Sequence, residues 1–329
     1  MTHSDRPSTD LFRGIDRLAC GEGFATDRVI ARARAFQAAV PSERPISLTI
    51  AEALIARPGA SVALFTGFVV PGKYPRGEND GPLGTVALAR ALARVGLRPT
   101  LFTDPEIAET TRWLLAELGA PVGVQPIPSA LAGPFDVAIA IEKPGANRLG
   151  VMHTFDGARI DGGSRPVDQV FRAFADAGAL TVGIGDQGNE IGFGLLADAV
   201  ARLNPEAGTC ACGCGGEIAA ATATTHLYPA AVSNWGAYGI VAALALLTGD
   251  SSLLLRPEEE HRMLKVCAVR GCCDGVRRRG MYGIDGMDGH VSVELVDAMR
   301  RLVVDEIGET PIDTPVRDPI ESGNEALRE

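Results

Sequence analysis

Aromatic side chains are scarce in this chain, 5 % of 329 residues with two tryptophans and four tyrosines, too few to mark a binding interface by clustering. An excess of positive charge is missing as well. The formal charge of −10 argues against a nucleic-acid or anionic-membrane partner, since both select basic surfaces. The longest apolar run, Gly239 to Leu247, is far too short to span a bilayer, and the start Met1-Thr2-His3-Ser4-Asp5-Arg6-Pro7 has no apolar core of a leader peptide. These absences lead to the expectation of a cytoplasmic protein with a small-molecule ligand, with a homo-oligomer left open. Several catalytic signatures are lacking too: no Gly-x-Ser-x-Gly elbow, no Walker lysine motif and no His-Glu-x-x-His helix. His153, His226, His261 and His290 are scattered and read as ordinary surface or core histidines, with His153 close enough in sequence to Glu142 to invite a role there.

Cysteine is present in an odd number, seven, without a leader, so reduced thiols are expected rather than a disulfide framework. Cys210-Ala211-Cys212-Gly213-Cys214 could form a zinc site with Cys267, Cys272, Cys273 or His226. Its spacing does not match the paired C-x2–4-C of ribbons and fingers, so a structural Zn²⁺ at Cys210, Cys212 and Cys214 is disfavoured against a tight loop of free thiols. Cys272-Cys273 reads as two small buried residues.

Short apolar runs alternate with amphipathic stretches. Strands are expected at Ser61–Gly67, Thr100–Thr103, Phe135–Ile141, Leu180–Gly185 and near His226–Tyr228, and helices at Pro82–Val95, after Asp104-Pro105 and through Leu247. Near-continuous apolar strands separated by helices imply an α/β fold: a doubly wound, mostly parallel sheet with helices on both faces, a Rossmann-like three-layer sandwich. Residues 1–60, with amphipathic helices at Thr26–Val40 and Ile46–Ala56, read as a helical cover of the same domain, 61–308 as the α/β body and 309–329 as a polar, acidic tail that frays or lies extended.

In such sheets ligands bind outside the carboxyl ends of the strands, and several of those ends here are polar and glycine-rich. Gly183 to Gly192 sets Asp186, Asn189 and Glu190 among four glycines, acids that repel one another unless a cation, proton or ammonium answers them. Glu142 directly follows the third apolar strand. Pro71 to Gly84 runs into a helix with Asp80 at the expected N-cap, which would leave the N–H groups of Gly81, Leu83 and Gly84 free for a carboxylate or phosphate. Ser233 or Asn234 is expected to cap the following apolar helix, the other being free to touch substrate. No Gly-x-Gly-x-x-Gly joins a strand directly to a helix, which weakens a dinucleotide reading.

Thr66-Gly67-Phe68, Glu78-Asn79-Asp80-Gly81-Pro82-Leu83-Gly84, Ala140-Ile141-Glu142, Gly185-Asp186-Gln187-Gly188-Asn189-Glu190-Ile191-Gly192, Val232-Ser233-Asn234-Trp235-Gly236 and Gly283-Ile284-Asp285-Gly286 resemble, in order, the motifs of the D-glutamate cyclase family. The resemblance covers about Ser61 to Val304 and implies a lyase that converts D-glutamate to 5-oxo-D-proline with loss of water. The pattern departs at Gln187 and Leu83, at Ala146 where an arginine is expected, and at Met152-His153 where a tyrosine pair is expected. The acids are kept while neighbouring contacts change, so the chemistry is better indicated than the substrate.

Lactam closure needs a base for the ammonium, an activator of the carboxyl carbon and an acid for the departing oxygen. Glu190 or Glu142 is expected to move the proton. Asp80, Glu142 and Asp186 are expected to hold Mg²⁺ or Mn²⁺, since hard oxygen ligands suit these ions better than zinc. Gly81 to Gly84 would hold the remaining carboxylate, with Asn189, Ser233 and Asn234 orienting the amine. A metal-free version has the clustered acids share a proton and bind the ammonium directly. Arg277-Arg278-Arg279 reads as a solvated turn, from which an arginine could replace the missing carboxylate contact. Two alternatives use the same crevice: an Mg²⁺- or Mn²⁺-dependent hydrolase of a phosphorylated or amide substrate, and a non-catalytic small-molecule binding protein.

Overall fold

Six segments, the five expected runs and one more, become the strands of one parallel sheet in the computed structural model, which describes residues 7–127, 135–204 and 208–311. In chain order the elements are α1 (Thr9–Ala19), α2 (Asp27–Ala39), α3 (Ile46–Ile55), β1 (Ser61–Thr66), α4 (Pro82–Arg94), β2 (Arg98–Thr103), α5 (Pro105–Glu117) and β3 (Gly123–Pro126). There follow β4 (Val137–Ile141), α6 (Asp168–Asp176), β5 (Leu180–Gly185), α7 (Ala197–Leu203), β6 (His226–Pro229), α8 (Ser233–Thr248), α9 (Pro257–Arg270) and α10 (Gly289–Ile307). Two short antiparallel ladders, Cys273–Asp274 with Arg279–Gly280 and Gly283–Ile284 with Met287–Asp288, precede α10.

The strand order β3-β2-β1-β4-β5-β6 is that of a doubly wound sheet, with its topological switch point between β1 and β4. Successive residues of a strand face opposite layers. Val62 and Leu64 of β1 join Ile139, Ile141, Val182 and Ile184 against α4, α5 and α8, while Ala63 and Phe65 join Ala138 and Ala140 against Phe171 and Phe174 of α6. Helix α8 is apolar on every side and buried through Leu246, the pattern of a helix enclosed by others. Helices α1 and α3 pack against it, and Phe36 of α2 meets Phe193 edge to face at 5.0 Å. One polar network lies inside this layer. The Tyr238 hydroxyl and the Ser292 hydroxyl each donate to Glu260 at 2.6 Å, and Trp235 Nε1 donates to Ser292 Oγ at 3.0 Å. Burial pushes the Glu260 carboxyl up to about 7.

Strand β3, helices α1 and α9 and the two short ladders were not foreseen from the sequence. Strand β3 pairs with β2 at the sheet edge, mostly exposed, so Gly-Val-Gln-Pro carries no apolar run that would announce it. Helix α1 buries Asp16, which accepts from the main-chain N–H groups of Ile46 and Ser47 and from the Tyr228 hydroxyl, and so caps α3 from a distance. The expected tail conformation falls, from residue 312 onward, outside the described residues. Among the described residues no helix is long and apolar enough to cross a membrane.

Candidate active site

Parallel register places Ile141 beside Thr66 and Ile184, so the residues that follow β1, β4 and β5 leave the sheet at one edge. Glu142 is the first residue beyond β4. Its backbone is left-handed, φ 46°, a conformation that costs a non-glycine residue on the order of 1 kcal/mol and is tolerated where the surroundings over-determine it. Its N–H donates to the Ile184 carbonyl at 3.1 Å, and the Ser233 hydroxyl donates to its Oε2 at 2.6 Å.

Asp80 and Asn234 exchange caps between two helices. The N-cap of α4 is Gly81 rather than Asp80, with φ 94°, and an added Cβ there would lie 2.8 Å from the Glu142 Cβ. Asp80 turns instead to α8 and accepts from Ser233 N at 2.9 Å and Asn234 N at 2.8 Å, as well as from Gly81 N at 2.8 Å. Asn234 reciprocates. Its Oδ1 accepts from Gly81 N at 2.9 Å and Gly84 N at 2.7 Å, and its Nδ2 donates to the Asn79 carbonyl at 3.1 Å. Helix α8 therefore starts after Val232, with neither Ser233 nor Asn234 capping its own helix. The anion site expected at Gly81 and Gly84 is filled from within the protein. The two helix ends come this close because Gly84 has no side chain; a Cβ there would sit 2.7 Å from the Asn234 Cα.

The glycine-rich turn after β5 is organised by Glu190. Its carboxylate accepts from the main-chain N–H groups of Asp186 at 3.3 Å, Gln187 at 3.0 Å and Gly188 at 2.8 Å. Both oxygens are thus occupied by backbone, and the residue is fully buried. Asp186 points the other way, accepting from Gln187 Nε2 at 2.8 Å and from Arg32 of α2 at 3.1 Å. Asn189 donates through Nδ2 to the His153 carbonyl at 3.0 Å, while its buried Oδ1 has no hydrogen-bond partner.

These residues border a crevice of about 350 Å³, open volume included. Glu142, Asp186, Gln187 and Asn189 line its inner wall, with Phe68 and Tyr74 from the loop after β1, Thr154 and Phe155 opposite, and Glu78, Gly275, Val276 and Asp285 at the remaining side. Carboxylate oxygens of Asp80, Glu142 and Asp186 lie within 4.8 Å of one another. At that separation two ionised carboxylates repel by about 3 kcal/mol for an effective dielectric of about 20. The cluster therefore demands a proton or a cation. Burial, followed by repulsion from Glu190, Asp186 and Asp80, holds the Glu142 carboxyl well above the usual range. Burial raises Asp186 similarly against the opposing pull of Arg32, and raises Asp80 to about 6 against its three main-chain donors. Glu78 and the half-buried Asp285 are also pushed well above ordinary carboxyl values, first by burial and then by neighbouring acids.

The structure thus brings together Asp80, Glu142, Asp186, Asn189 and Ser233, which the sequence had singled out, and keeps Glu190, Gly81, Gly84 and Asn234 as the frame beneath them. It adds Arg32, Tyr74, Glu78 and Asp285. Arg32 gave no signal, being one of several arginines on a polar helix, whereas Glu78 and Asp285 stood inside motifs already noted. Arg278 pairs with Asp156 at 2.5 Å and lies against Tyr74, whereas Arg277 turns to Asp274 and the Met287 carbonyl. His153 is fully buried with its ring against the cysteines of 210–214 rather than against Glu142.

The family model described as D-glutamate cyclase-like, C-terminal, matches residues 38–300, a span that contains all six motifs and every residue lining the crevice and that leaves out Arg32. Human mitochondrial D-glutamate cyclase is 27% identical over 219 residues, which are 57% of this chain and 33% of the human protein. The chain spans about a third of the length of that relative. With most of its residues inside the matched region, the protein belongs to the D-glutamate cyclase-like family, in the part that forms the family's C-terminal domain.

Proposed function

We propose that the chain is a lyase that closes D-glutamate, or an amino acid close to it, to the five-membered lactam with loss of water. The observation that carries this reading is Glu142: a buried carboxyl of raised pKa, on a strained backbone, at the wall of a crevice lined by further acids. Glu142 takes a proton from the substrate ammonium, which frees the amine lone pair to attack the distal carboxyl carbon. After attack the ring nitrogen is cationic and gives Glu142 a second proton, so that Glu142 passes two protons in turn from nitrogen to the same carboxyl oxygen, which leaves as water as the C–O bond breaks. Ser233 fixes the Glu142 carboxyl by its 2.6 Å hydrogen bond, and the unpartnered Asn189 Oδ1 accepts an N–H of the amine. The surrounding acids favour a cationic amine on entry. Glu190, with both oxygens held by backbone, serves as the anchor of the turn and leaves proton transfer to Glu142. Arg278, beside Tyr74, is the arginine we assign to the substrate's free carboxylate.

The donor set of Asp80, Glu142 and Asp186, all oxygen and all buried, fits a hard divalent cation. Mg²⁺ or Mn²⁺ bound there would polarise the carboxyl group under attack, as an alternative to the proton relay above, since a Glu142 carboxylate that holds the ion cannot also carry the proton. Incubating the protein with D-glutamate, L-glutamate and close analogues, with and without Mn²⁺, and following lactam by mass tests the assignment. Lactam from at least one D-amino acid is expected. An intact, folded protein that consumes nothing in the panel would overturn it.

A further inference from the structure

A second cluster lies behind the crevice wall. His153 Nε2 is 3.3 Å from Cys212 Sγ and 3.6 Å from Cys214 Sγ, and Cys210 Sγ is 3.3 Å from Cys212 Sγ and 3.2 Å from Cys214 Sγ. Single donor atoms of all four residues fall within one 4.8 Å sphere of mutual distance. The partner of the three cysteines is thus His153, not Cys267, Cys272, Cys273 or His226. Its imidazole is fully buried, and its other nitrogen, Nδ1, has no hydrogen-bond partner. Hydrogen bonding of the ring is therefore directed at sulfur alone.

We propose that His153, Cys210, Cys212 and Cys214 form a structural Zn²⁺ site. Tetrahedral zinc with Zn–S of about 2.3 Å and Zn–N of about 2.0–2.1 Å separates its ligand atoms by about 3.5–3.8 Å. Four of the six separations are 3.2 to 3.6 Å and the other two lie within 4.8 Å, so a small adjustment admits the ion. Three thiolates and one imidazole form a closed set of soft and borderline donors that selects Zn²⁺ over Mg²⁺ or Mn²⁺. Alternate cysteines reach one centre because Gly213 and Gly215 turn the loop with φ of 78° and 80°. The surrounding main chain supports it: Cys210 N donates to the Gly216 carbonyl at 3.1 Å and Ala211 N to the Gly157 carbonyl at 3.0 Å. Asn147 Nδ2 lies 3.8 Å from Cys214 Sγ while donating to the Glu217 carbonyl at 2.8 Å, an outer contact of the kind that orients metal ligands.

The ion would tie the 210–216 loop to the segment that presents Thr154 and Phe155 to the crevice, and the His153 carbonyl holds Asn189 in place. The site stands on these contacts whether or not the chain acts on D-glutamate. The test uses the full chain expressed in medium containing zinc and iron. Elemental analysis should find one Zn²⁺ per chain, and Co²⁺ added after zinc removal should give the thiolate charge-transfer band and tetrahedral visible absorption. Cys212→Ser and His153→Gln should each weaken zinc binding at least about 100-fold, compared with the 10–100-fold seen when only outer contacts are lost. If the variants do not fold, hydrogen exchange of wild type with and without chelator reads the same site, with faster exchange expected at 153–157 and 210–216 on metal removal. Substoichiometric metal with seven free thiols, an intramolecular disulfide within Cys210–Cys214, or iron in place of zinc would overturn the proposal.

Discussion

Replacing Asn234 by alanine should destabilise the protein by about 2–5 kcal/mol. The side chain is completely buried, and its Oδ1 holds the N–H groups of Gly81 and Gly84 at 2.9 and 2.7 Å while its Nδ2 holds the Asn79 carbonyl at 3.1 Å. Truncation leaves the Gly84 donor and the Asn79 acceptor without partners, while Gly81 N keeps its bond to Asp80; each stranded group costs about 1–3 kcal/mol when buried, whereas a helix cap by itself is worth about 0.5–2 kcal/mol. The two losses share one side chain and are not additive. A water molecule entering the vacated space would hold the cost near about 2 kcal/mol. Urea unfolding reads the change as a lower midpoint at unchanged slope. For a chain of this size each kcal/mol corresponds to about 1.5 °C in melting temperature, so a drop of roughly 3–7 °C is expected. Asn234→Asp keeps the acceptor for both N–H groups but places a second carboxylate beside Asp80, whose Oδ1 accepts from the residue 234 N–H at 2.8 Å. That variant should be intermediate near neutral pH and recover on acidification, as Asp80 and its new neighbour share a proton. A loss below about 1 kcal/mol for the alanine variant would refute the reciprocal capping of α4 and α8.

Other expectations concern charge. Glu260 rises to about 7 on folding, so its contribution to stability is complete below about pH 4.5 and is lost as pH climbs through 7. Glu260→Gln should therefore gain on wild type, in urea midpoint, between about pH 5 and about pH 8. Lys143 and Asp104 pair at 2.5 Å with no exposure, and burial pushes each toward its neutral form. Lys143→Met, which strands the carboxyl, should cost about 3–5 kcal/mol in denaturant unfolding, more than the double variant with Asp104→Leu. Removing the positive charge of Arg32 beside Asp186 should tighten Mn²⁺ binding on the order of tenfold by calorimetry.

How legible all this was depends on where each residue's partners lie. Strands β1, β4 and β5 announced themselves because both faces are covered, which makes their sequences continuously apolar. Strand β3 has one neighbour and an exposed edge, so it carries no such run. The acids of the crevice were readable since carboxylates at strand ends are chemically conspicuous and the motifs kept their order. Their division of labour was not. Glu190 and Glu142 look alike in the chain, and only the three main-chain donors around Glu190 mark it as a fold-building group. Asp80 and Asn234 each sit at a plausible cap of their own helix, yet each caps the other's, a pairing of residues 154 apart that local rules cannot see. Arg32 and His153 reach their sites from α2 and from a long loop, again across sequence distances that composition and spacing do not encode.

The most direct test of the account is turnover of D-glutamate by Glu142→Gln beside wild type, with lactam followed by mass and folding followed by thermal melting. Glutamine keeps the size of the side chain and its capacity to accept from Ser233, but it cannot carry the proton. The account predicts a fall in kcat of about 10²–10⁴ with a melting temperature equal to or above that of wild type, because a buried repulsive carboxyl has been removed. A folded Glu142→Gln protein that forms lactam within about tenfold of the wild-type rate would contradict it, since general acid–base contributions of the size assigned to Glu142 cannot be lost so cheaply.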